Sequence, residues 1–264
     1  MSIFYLIGLG LYPKMISLEA VEILREVCDH IFYEEYTSIP SEGCIEDLER
    51  LVGKKFKMLS RRDIEDLSGL SILRALEKGS KVCLASWGDP LAATTHISLV
   101  SRVIRSGFRF KYIPGVSSIT VALSSAGLMI YRLGKIATIT YPKNGILSEY
   151  PYLVLSENLS RNLHTLYLLD LDVEKGVYMS FRDALNILLE LESRFKKNLI
   201  SENSYVIGLN ISSKITLCGG SVIFMKSLSL DRYPQILIVP AKLYFTEEEY
   251  LDSLGLRENR CVEV

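Results

Sequence analysis

Residues 81–96 read KVCLASWGDPLAATTH, a stretch that contains a strand, a tight loop and the start of a helix. Residues 81–86 form a short apolar run that is typical of a strand buried on both faces. A Gly-Asp-Pro turn at 88–90 ends that run, and residues 96–106 then carry apolar side chains at helical spacing before Gly107. A buried strand followed directly by a helix is the repeating unit of a parallel sheet covered by helices.

The same alternation continues on both sides of this stretch. Apolar runs predict further strands at 3–7, 31–36, 56–59 and 110–113, and helical spacing predicts helices over 17–28 and 62–78. Strand and helix therefore alternate from the first residues to about residue 113, which predicts a mainly parallel, helix-covered sheet.

The pattern changes after the Pro-Gly pair at 114–115. Residues 117–127 are rich in Ser and Ala, which is typical of a close-packed helix or of backbone close to a ligand. A long amphipathic helix is predicted at 181–197 and a surface helix in the charged tail that begins at Thr246. The later apolar runs, which predict strands, are 136–141, 164–169, 204–211, 221–225 and 235–239.

Two of these later strands follow one another with no room for a helix, so the second sheet is expected to be mixed. We therefore predict an α/β protein of two domains, residues 1–113 and 114–264. The first domain is expected to hold the parallel sheet and the second the mixed sheet.

The composition excludes several classes of protein. The chain has 264 residues, 48% of them hydrophobic, and a formal net charge of −1. Such a composition is that of a globular protein, and the near-zero charge argues against a nucleic-acid partner. No apolar run approaches the roughly 18 residues that span a bilayer. The N-terminus lacks the features of a signal peptide, so a cytoplasmic location without membrane contact is expected.

The number and spacing of the cysteines and histidines predict neither disulfides nor a metal site. The cysteines are an odd number, widely spaced and without a C-x-x-C pair, and a chain of this length can bury a core without disulfides. No disulfide framework is therefore expected. The histidines lack ligand spacing, so no metal is expected. These residues are Cys28, Cys44, Cys83, Cys218, Cys261, His30, His96 and His164.

Two glycines after the first strand invite a dinucleotide-binding interpretation. Gly8 and Gly10 could let a phosphate approach the backbone, and Glu34 and Glu35 close the next strand, where a ribose-binding carboxylate would be sought. The third glycine of that fingerprint is missing, because its position holds Pro13. The motif fails as an NAD signature, and a strand that ends in a glycine turn is the simpler alternative.

Two loops at strand ends are candidate ligand contacts. Asp89 follows a buried strand, where open α/β sheets bind ligands, and could accept from a hydroxyl or ammonium group or face a cation. The alternative is an Asx-Pro turn with helix caps at Thr94 and Thr95. The loop at 114–119 leads into a helix and could hold a carboxylate or an adenine edge, or could simply cap that helix. No nucleophile elbow, P-loop or H-E-x-x-H motif is present, so covalent or metal hydrolysis has no support.

Seven segments together resemble the diphthine synthase family in its archaeal form, which belongs to the tetrapyrrole methylase superfamily. Each segment is weak by itself, but their order is specific and spans the chain to about residue 250. The segments are IGLGLYP at 7–13, EEYTS at 34–38, LSRRDIE at 59–65, GDPLAATTH at 88–96, SSITVALSSAGLMIYRLG at 117–134, HTLYLLDL at 164–171 and ILIVPAKL at 236–243.

The resemblance implies a two-domain α/β fold that holds S-adenosylmethionine (SAM) in a cleft between the domains. It also implies methylation of an amino group on translation elongation factor 2, whose modified histidine carries a 3-amino-3-carboxypropyl arm. The product would be diphthine, the precursor of diphthamide, and the enzyme would be a homodimer.

Carried over by motif, the implied cofactor contacts come from six segments of the chain. Region 210–219 departs from the family's pattern in length, which bears on the register of Ser212, and Gln235 stands where the family pattern has a histidine. The implied contacts are Leu11, Asp89, Ala92, Ser118, Ile119, Leu169, Ser212 and Gln235.

Methyl transfer from SAM needs no nucleophilic side chain, which agrees with the residue inventory. The acceptor amine must lose a proton, and Glu34, Tyr36 and His96 are candidate acceptors for it, while the catalytic residues stay unassigned. His96 is otherwise expected to be a packed histidine. Three alternatives stay open: a related methyltransferase with another acceptor, a nicotinamide-dependent oxidoreductase, and a module that binds an adenosyl ligand without turnover.

Overall fold

A computed structural model describes residues 2–34, 36, 38–173, 175–230 and 232–264. The chain divides into two compact units, unit 1 (Met1–Ser118) and unit 2 (Ile119–Val264). This division falls inside a helix, and the limit predicted at residue 113 lies at the end of the preceding strand. Within the described ranges, no helix has the length and apolar character needed to cross a bilayer.

Unit 1 is built on a parallel sheet of five described strands in the order β3-β2-β4-β1-β5. The strands predicted from apolar runs are all present, which confirms the parallel, helix-covered class for this half. The elements are β1 (Ile3–Gly8), β2 (His30–Glu34), β3 (Lys57–Met58), β4 (Lys81–Ser86), β5 (Arg109–Ile113), α1 (Leu18–Glu22), α2 (Ile45–Val52), α3 (Leu70–Glu77) and α4 (His96–Arg105).

Successive side chains of the central strand β1 enter two apolar layers on opposite faces of the sheet. Ile7 packs in the layer formed with α1 and α2, whereas Leu6 packs in the layer formed with α3 and α4. Burying one such side chain contributes about 1.5–3 kcal/mol. The connections after β1 and β4 thus leave toward opposite faces, and a ligand crevice forms where neighbouring strands of a parallel sheet separate in this way.

Unit 2 contains a mixed sheet in the order β13-β11-β10-β12-β7-β6, as expected from late strands that lack a helix between them. Among the described residues of this sheet, β6 and β7 are the only neighbouring strands that pair in parallel. The elements that begin at or after the division are α5 (Ser118–Ser125), β6 (Ala137–Ile139), α6 (Tyr150–Ser160), β7 (Thr165–Leu169), β8 (Leu171–Asp172), β9 (Val177–Tyr178), α7 (Phe181–Phe195), β10 (Tyr205–Asn210), β11 (Thr216–Ser221), α8 (Val222–Ser227), β12 (Gln235–Val239), α9 (Phe245–Ser253) and β13 (Arg260–Glu263).

Two predicted elements are wrong. The strand expected at 221–225 is the helix α8, whose first turn is capped by the Ser221 hydroxyl as it accepts from the Phe224 amide. The strand lies just before it, as β11, and its glycines concealed it because glycine is depleted in strands. The single helix expected over 62–78 is interrupted before α3, where Ser68 and Gly69 adopt positive φ.

The structure also corrects the expectation that the chain has no disulfides. Cys218 and Cys261 face each other on the paired strands β11 and β13 and are joined by a disulfide, and Cys28 is joined to Cys83 on β4. Cys44 is exposed and unpaired. Each bridge closes a long loop, since the paired cysteines lie 43 and 55 residues apart in sequence.

A buried charged cluster holds the segments around α9 together in unit 2. The Glu247 carboxylate is fully buried and accepts from His164 Nε2 at 3.1 Å and from an Arg132 Nη at 2.5 Å. It also accepts from the backbone amides of Met129 and Tyr244, at 3.0 and 2.9 Å. Burial alone would raise the pKa of Glu247, but these hydrogen bonds outweigh it and hold the pKa below its ordinary value of 4.5.

Selective alkylation tests the cysteine pairing. Treatment of the unfolded chain with iodoacetamide in the absence of reductant should modify one thiol, Cys44, and treatment after reduction should modify all five cysteines. Replacing Cys218 by Ser should lower the free energy of unfolding by roughly 2–4 kcal/mol, because the unfolded chain gains the entropy of an open loop. The exposed Cys44→Ser variant is the matched control, with a change of about 0.5 kcal/mol or less. Five modified thiols without reductant would contradict the pairing.

Replacing Glu247 by Gln should lower the free energy of unfolding at pH 7 by about 3–5 kcal/mol, because it leaves the Arg132 guanidinium buried without a countercharge. The stability that comes from a lowered carboxyl pKa is present above the ordinary value and is lost as the pH falls. The difference between the variant and the wild type should therefore narrow below about pH 4.5. Denaturant titrations over pH 4–8 measure this difference in the free energy of unfolding, with the exposed Glu249→Gln variant as control. Equal stabilities at pH 7 would show that the cluster contributes nothing.

Candidate functional site

The carboxyl ends of β1, β4 and β5 meet in unit 1 at three glycines. A Cβ on Gly8 would lie 2.4 Å from the Gly115 nitrogen, and a Cβ on Gly115 would lie 2.1 Å from the Gly88 carbonyl oxygen. Gly10 and Gly88 exchange backbone hydrogen bonds of 3.2 and 2.7 Å. Backbone therefore touches backbone at this edge, and only residues without a side chain fit at Gly8 and Gly115.

Asp89 joins these loops through its carboxylate. One oxygen, Oδ1, accepts from the Leu91 amide at 2.9 Å. The other, Oδ2, accepts from the Tyr112 hydroxyl and from the Gly115 amide, the latter at 3.1 Å. Burial and the hydrogen bond to Asp89 raise the pKa of Tyr112 to about 12, so this hydroxyl stays protonated and donates. The Asp89 carboxylate, which was expected to face a ligand, therefore stabilises its own loop. One lone pair remains on Oδ1.

Leu11 and Ala92 lie beside this junction. The Leu11 carbonyl accepts from both the amide and the hydroxyl of Ser41, at 2.8 and 2.9 Å, and the Leu11 side chain approaches Gly88. The Ala92 amide donates to the Asp89 carbonyl at 3.1 Å. Unit 1 therefore brings Leu11, Asp89 and Ala92 together. Ser118 follows the Gly115 loop as the first residue of α5.

The residues proposed as proton acceptors lie deeper. Glu34 and His96 are fully buried, and the Tyr36 hydroxyl is buried as well, so none of these groups is open to a substrate in this structure. Burial, followed by the charges of Glu34 and Glu65, raises the pKa of Tyr36 far above its ordinary value, which leaves it protonated near neutral pH. Glu35 and Thr37 of the same motif lie outside the described residues.

In unit 2, three of the predicted residues share one edge of the mixed sheet. Leu169 ends β7, Gln235 begins the antiparallel strand β12, and Ser212 follows β10, whose last residue, Asn210, pairs with Gln235. The Ser212 hydroxyl donates to the Lys214 carbonyl at 2.6 Å. Ile119 is the second residue of α5.

The Gln235 amide is occupied by the protein's own backbone. Its oxygen accepts from the Phe181 amide at 2.9 Å, and its nitrogen donates to the carbonyls of Leu230 and Arg232 at 2.8 and 3.0 Å. The side chain thus fixes the start of α7 and the loop before β12. A ligand at this edge would meet the backbone of Gln235 and not its amide.

Tyr112 is a site residue that sequence reasoning missed. It is the penultimate residue of β5, and its hydroxyl reaches a carboxylate 23 residues earlier in the chain. A half-buried tyrosine at the carboxyl end of a parallel strand is a usable signal, because such a ring has a polar tip that needs a partner.

Gly115→Ala should destabilise unit 1 by about 3 kcal/mol or more, because the added methyl meets backbone atoms that cannot rotate away. Gly79→Ala is the matched control: its φ is +91°, and no atom lies within 4 Å of an added Cβ. The control should cost only the 1–2 kcal/mol of a left-handed alanine. Thermal unfolding of both variants measures the difference. A smaller loss for Gly115→Ala than for Gly79→Ala would refute the close contact.

The chain is similar to known proteins of one family. Residues 4–198 match the family described as Tetrapyrrole (Corrin/Porphyrin) Methylases. A diphthine synthase of Pyrobaculum neutrophilum is 39% identical over 97% of this chain and 100% of its own length. One of Saccharolobus solfataricus is 35% identical over 94% of this chain and 97% of its own.

A solved structure of a diphthine synthase superposes with a TM-score of 0.84 at 30% identity, covering 97% of this chain and 96% of the other. The two-sheet α/β class and the family resemblance found in the sequence are thereby confirmed. The chain belongs to the tetrapyrrole methylases and, within them, to the diphthine synthase family.

Proposed function

We propose that this chain transfers methyl groups from SAM to the amino group of the 3-amino-3-carboxypropyl arm on a histidine of translation elongation factor 2. The product is diphthine, an intermediate of diphthamide biosynthesis. One observation carries the proposal: curated diphthine synthases match this chain at up to 39% identity over nearly its whole length. As a member of that family the chain is a methyltransferase.

The residues of the strand-end edge in unit 1 fit a ligand of SAM's chemistry. A sulfonium and an ammonium group favour nearby carbonyl oxygens and a carboxylate, and the junction supplies loop carbonyls and the remaining lone pair of Asp89. We propose Leu11, Asp89, Ala92 and Ser118 of unit 1 as contacts. The contacts proposed from unit 2 are Ile119, Leu169, Ser212 and Gln235.

SAM, when bound, supplies a methyl group that is already activated on a positively charged sulfur. The chain's residues therefore need to orient the acceptor amine and exclude water, and proximity of this kind can be worth about 7–11 kcal/mol. Asp89 contributes by fixing the loop, since Tyr112 and Gly115 hold its carboxylate from β5 and the loop that follows. Because the donor supplies the reactive group and the protein only positions it, backbone and small residues suffice at the carboxyl ends of β1, β4 and β5.

The nicotinamide alternative lacks support. Pro13 begins a 3-10 turn (Pro13–Met15), and the following helix starts only after its cap at Ser17. A helix N-terminus therefore does not follow Gly10 directly, as dinucleotide binding requires. We also propose that the enzyme acts in the cytoplasm as a homodimer, which the family resemblance supports, and without a metal, a membrane or a nucleic-acid partner.

Methyl-labelled SAM tests both donor and acceptor. Two preparations of archaeal elongation factor 2 are compared, one with the aminocarboxypropyl-histidine and one with unmodified histidine at the same site. Label should appear only on the first, because the acceptor nitrogen belongs to the added arm. Mass spectrometry of the labelled protein then counts the methyl groups.

Other outcomes separate the alternatives. Label on neither preparation, with SAM bound, would overturn the proposed acceptor and favour another one or a sensing role, and NAD binding tighter than SAM would overturn the donor. The Asp89→Ala variant should bind SAM at least about tenfold more weakly, because the loop loses hydrogen bonds to a charged group. Unchanged affinity in that variant would contradict the proposed site.

A further inference from the structure

Three polar side chains with no assigned role lie buried beneath the loop of Asp89. Glu34 ends β2, Ser86 ends the neighbouring strand β4 in register with it, and His96 begins α4. All three are 0% exposed. Buried groups of this kind are costly unless they are paired, and the layers that flank them are apolar, so their presence requires an explanation.

The hydrogen-bond partners determine where the protons lie. His96 Nδ1 is 2.9 Å from the Pro90 carbonyl oxygen, which can only accept, so Nδ1 carries a proton. The other ring nitrogen, Nε2, lies 3.6 Å from Glu34 Oε1, and this same oxygen accepts from the Ser86 hydroxyl at 2.6 Å. Among the described residues Nε2 has no hydrogen-bond partner, because 3.6 Å is too long for a hydrogen bond to the carboxylate that it faces. The imidazole therefore donates at one end, to the loop, and lies against Glu34 at the other.

We propose that the Glu34–His96 pair positions the loop of Asp89 (residues 88–95) for cofactor binding. It acts through the Pro90 carbonyl, which accepts from His96 and also from the Thr94 hydroxyl. Asp89 holds the same loop from the side of β5, so the loop backbone is fixed at two points. Neither Glu34 nor His96 touches the ligand. The proposal rests on the proposed function for the identity of that ligand, SAM.

Two substitutions of His96 separate positioning from simple packing. The amide nitrogen of Asn falls near the position of Nδ1 and can still donate to Pro90, whereas the amide of Gln falls near Nε2 and reaches only Glu34. His96→Asn should keep SAM affinity close to that of the wild type, and His96→Gln should weaken it about tenfold, the factor expected for one buried hydrogen bond. A merely structural role would affect both variants alike.

A second measurement does not depend on SAM. Amide hydrogen exchange in the peptide 88–95 of the ligand-free protein reports how firmly the loop is held. We expect exchange about tenfold faster in His96→Gln and near the wild-type rate in His96→Asn. Glu34→Leu should speed exchange, and Glu34→Gln should restore it, because the amide oxygen can take the position of the carboxylate oxygen that faces both Ser86 and His96.

The control is His164, another fully buried histidine paired with a glutamate, in unit 2. Its Asn and Gln variants should lower the melting temperature and leave loop exchange and SAM affinity unchanged. Equal loop exchange and equal SAM affinity in His96→Asn and His96→Gln would overturn the proposal. A wild-type protein that binds no SAM would overturn the proposed function, and the exchange rates would still decide whether the pair holds the loop.

Discussion

Direct contact between backbone atoms at three strand ends is the constraint on which the candidate site depends. Gly8 and Gly115 leave no room for a side chain, and the Gly88 carbonyl lies against both of them. Loops that approach so closely present peptide groups and not side chains to whatever binds there. This geometry suits a reaction in which the donor brings its own activated group, because the protein then needs to position molecules more than to supply reactive atoms.

Two buried His–Glu pairs, one in each unit, show how the same residue types serve different ends. The Ala241 amide donates to His164 Nδ1 at 3.1 Å, so the proton of that imidazole is on Nε2 and points at Glu247. In His96 the role of Nδ1 is reversed: it donates, to the Pro90 carbonyl of the loop. The first pair is enclosed by hydrogen bonds from several segments and stabilises the unit. The second ends on the loop that carries Asp89, at the edge of the sheet.

The sequence predicted most elements of unit 1 because each buried strand there is a continuous apolar run. It failed where local composition opposes the observed structure: β11 contains adjacent glycines, and Gly219 is required because a Cβ would lie 2.5 Å from the Leu256 carbonyl oxygen. Contacts distant in sequence were also missed, among them the Tyr112 hydrogen bond and both disulfides. Asp89 was predicted as a ligand contact from its position after a strand, but the hydrogen bonds that its carboxylate accepts from Tyr112 and Gly115 could not be predicted from neighbouring residues.

Gln235 shows how much of the local structure one side chain can hold. A neutral imidazole at this position would offer one donor and one acceptor, whereas the Gln235 amide supplies two donated hydrogen bonds and one accepted bond. Both donated hydrogen bonds hold the loop just before β12, so replacing this side chain also affects that loop. The strand itself keeps its pairing with β7 and β10. Because the strand register and not the side chain sets where the backbone of residue 235 lies, the backbone at this proposed contact keeps its place when the side chain is replaced.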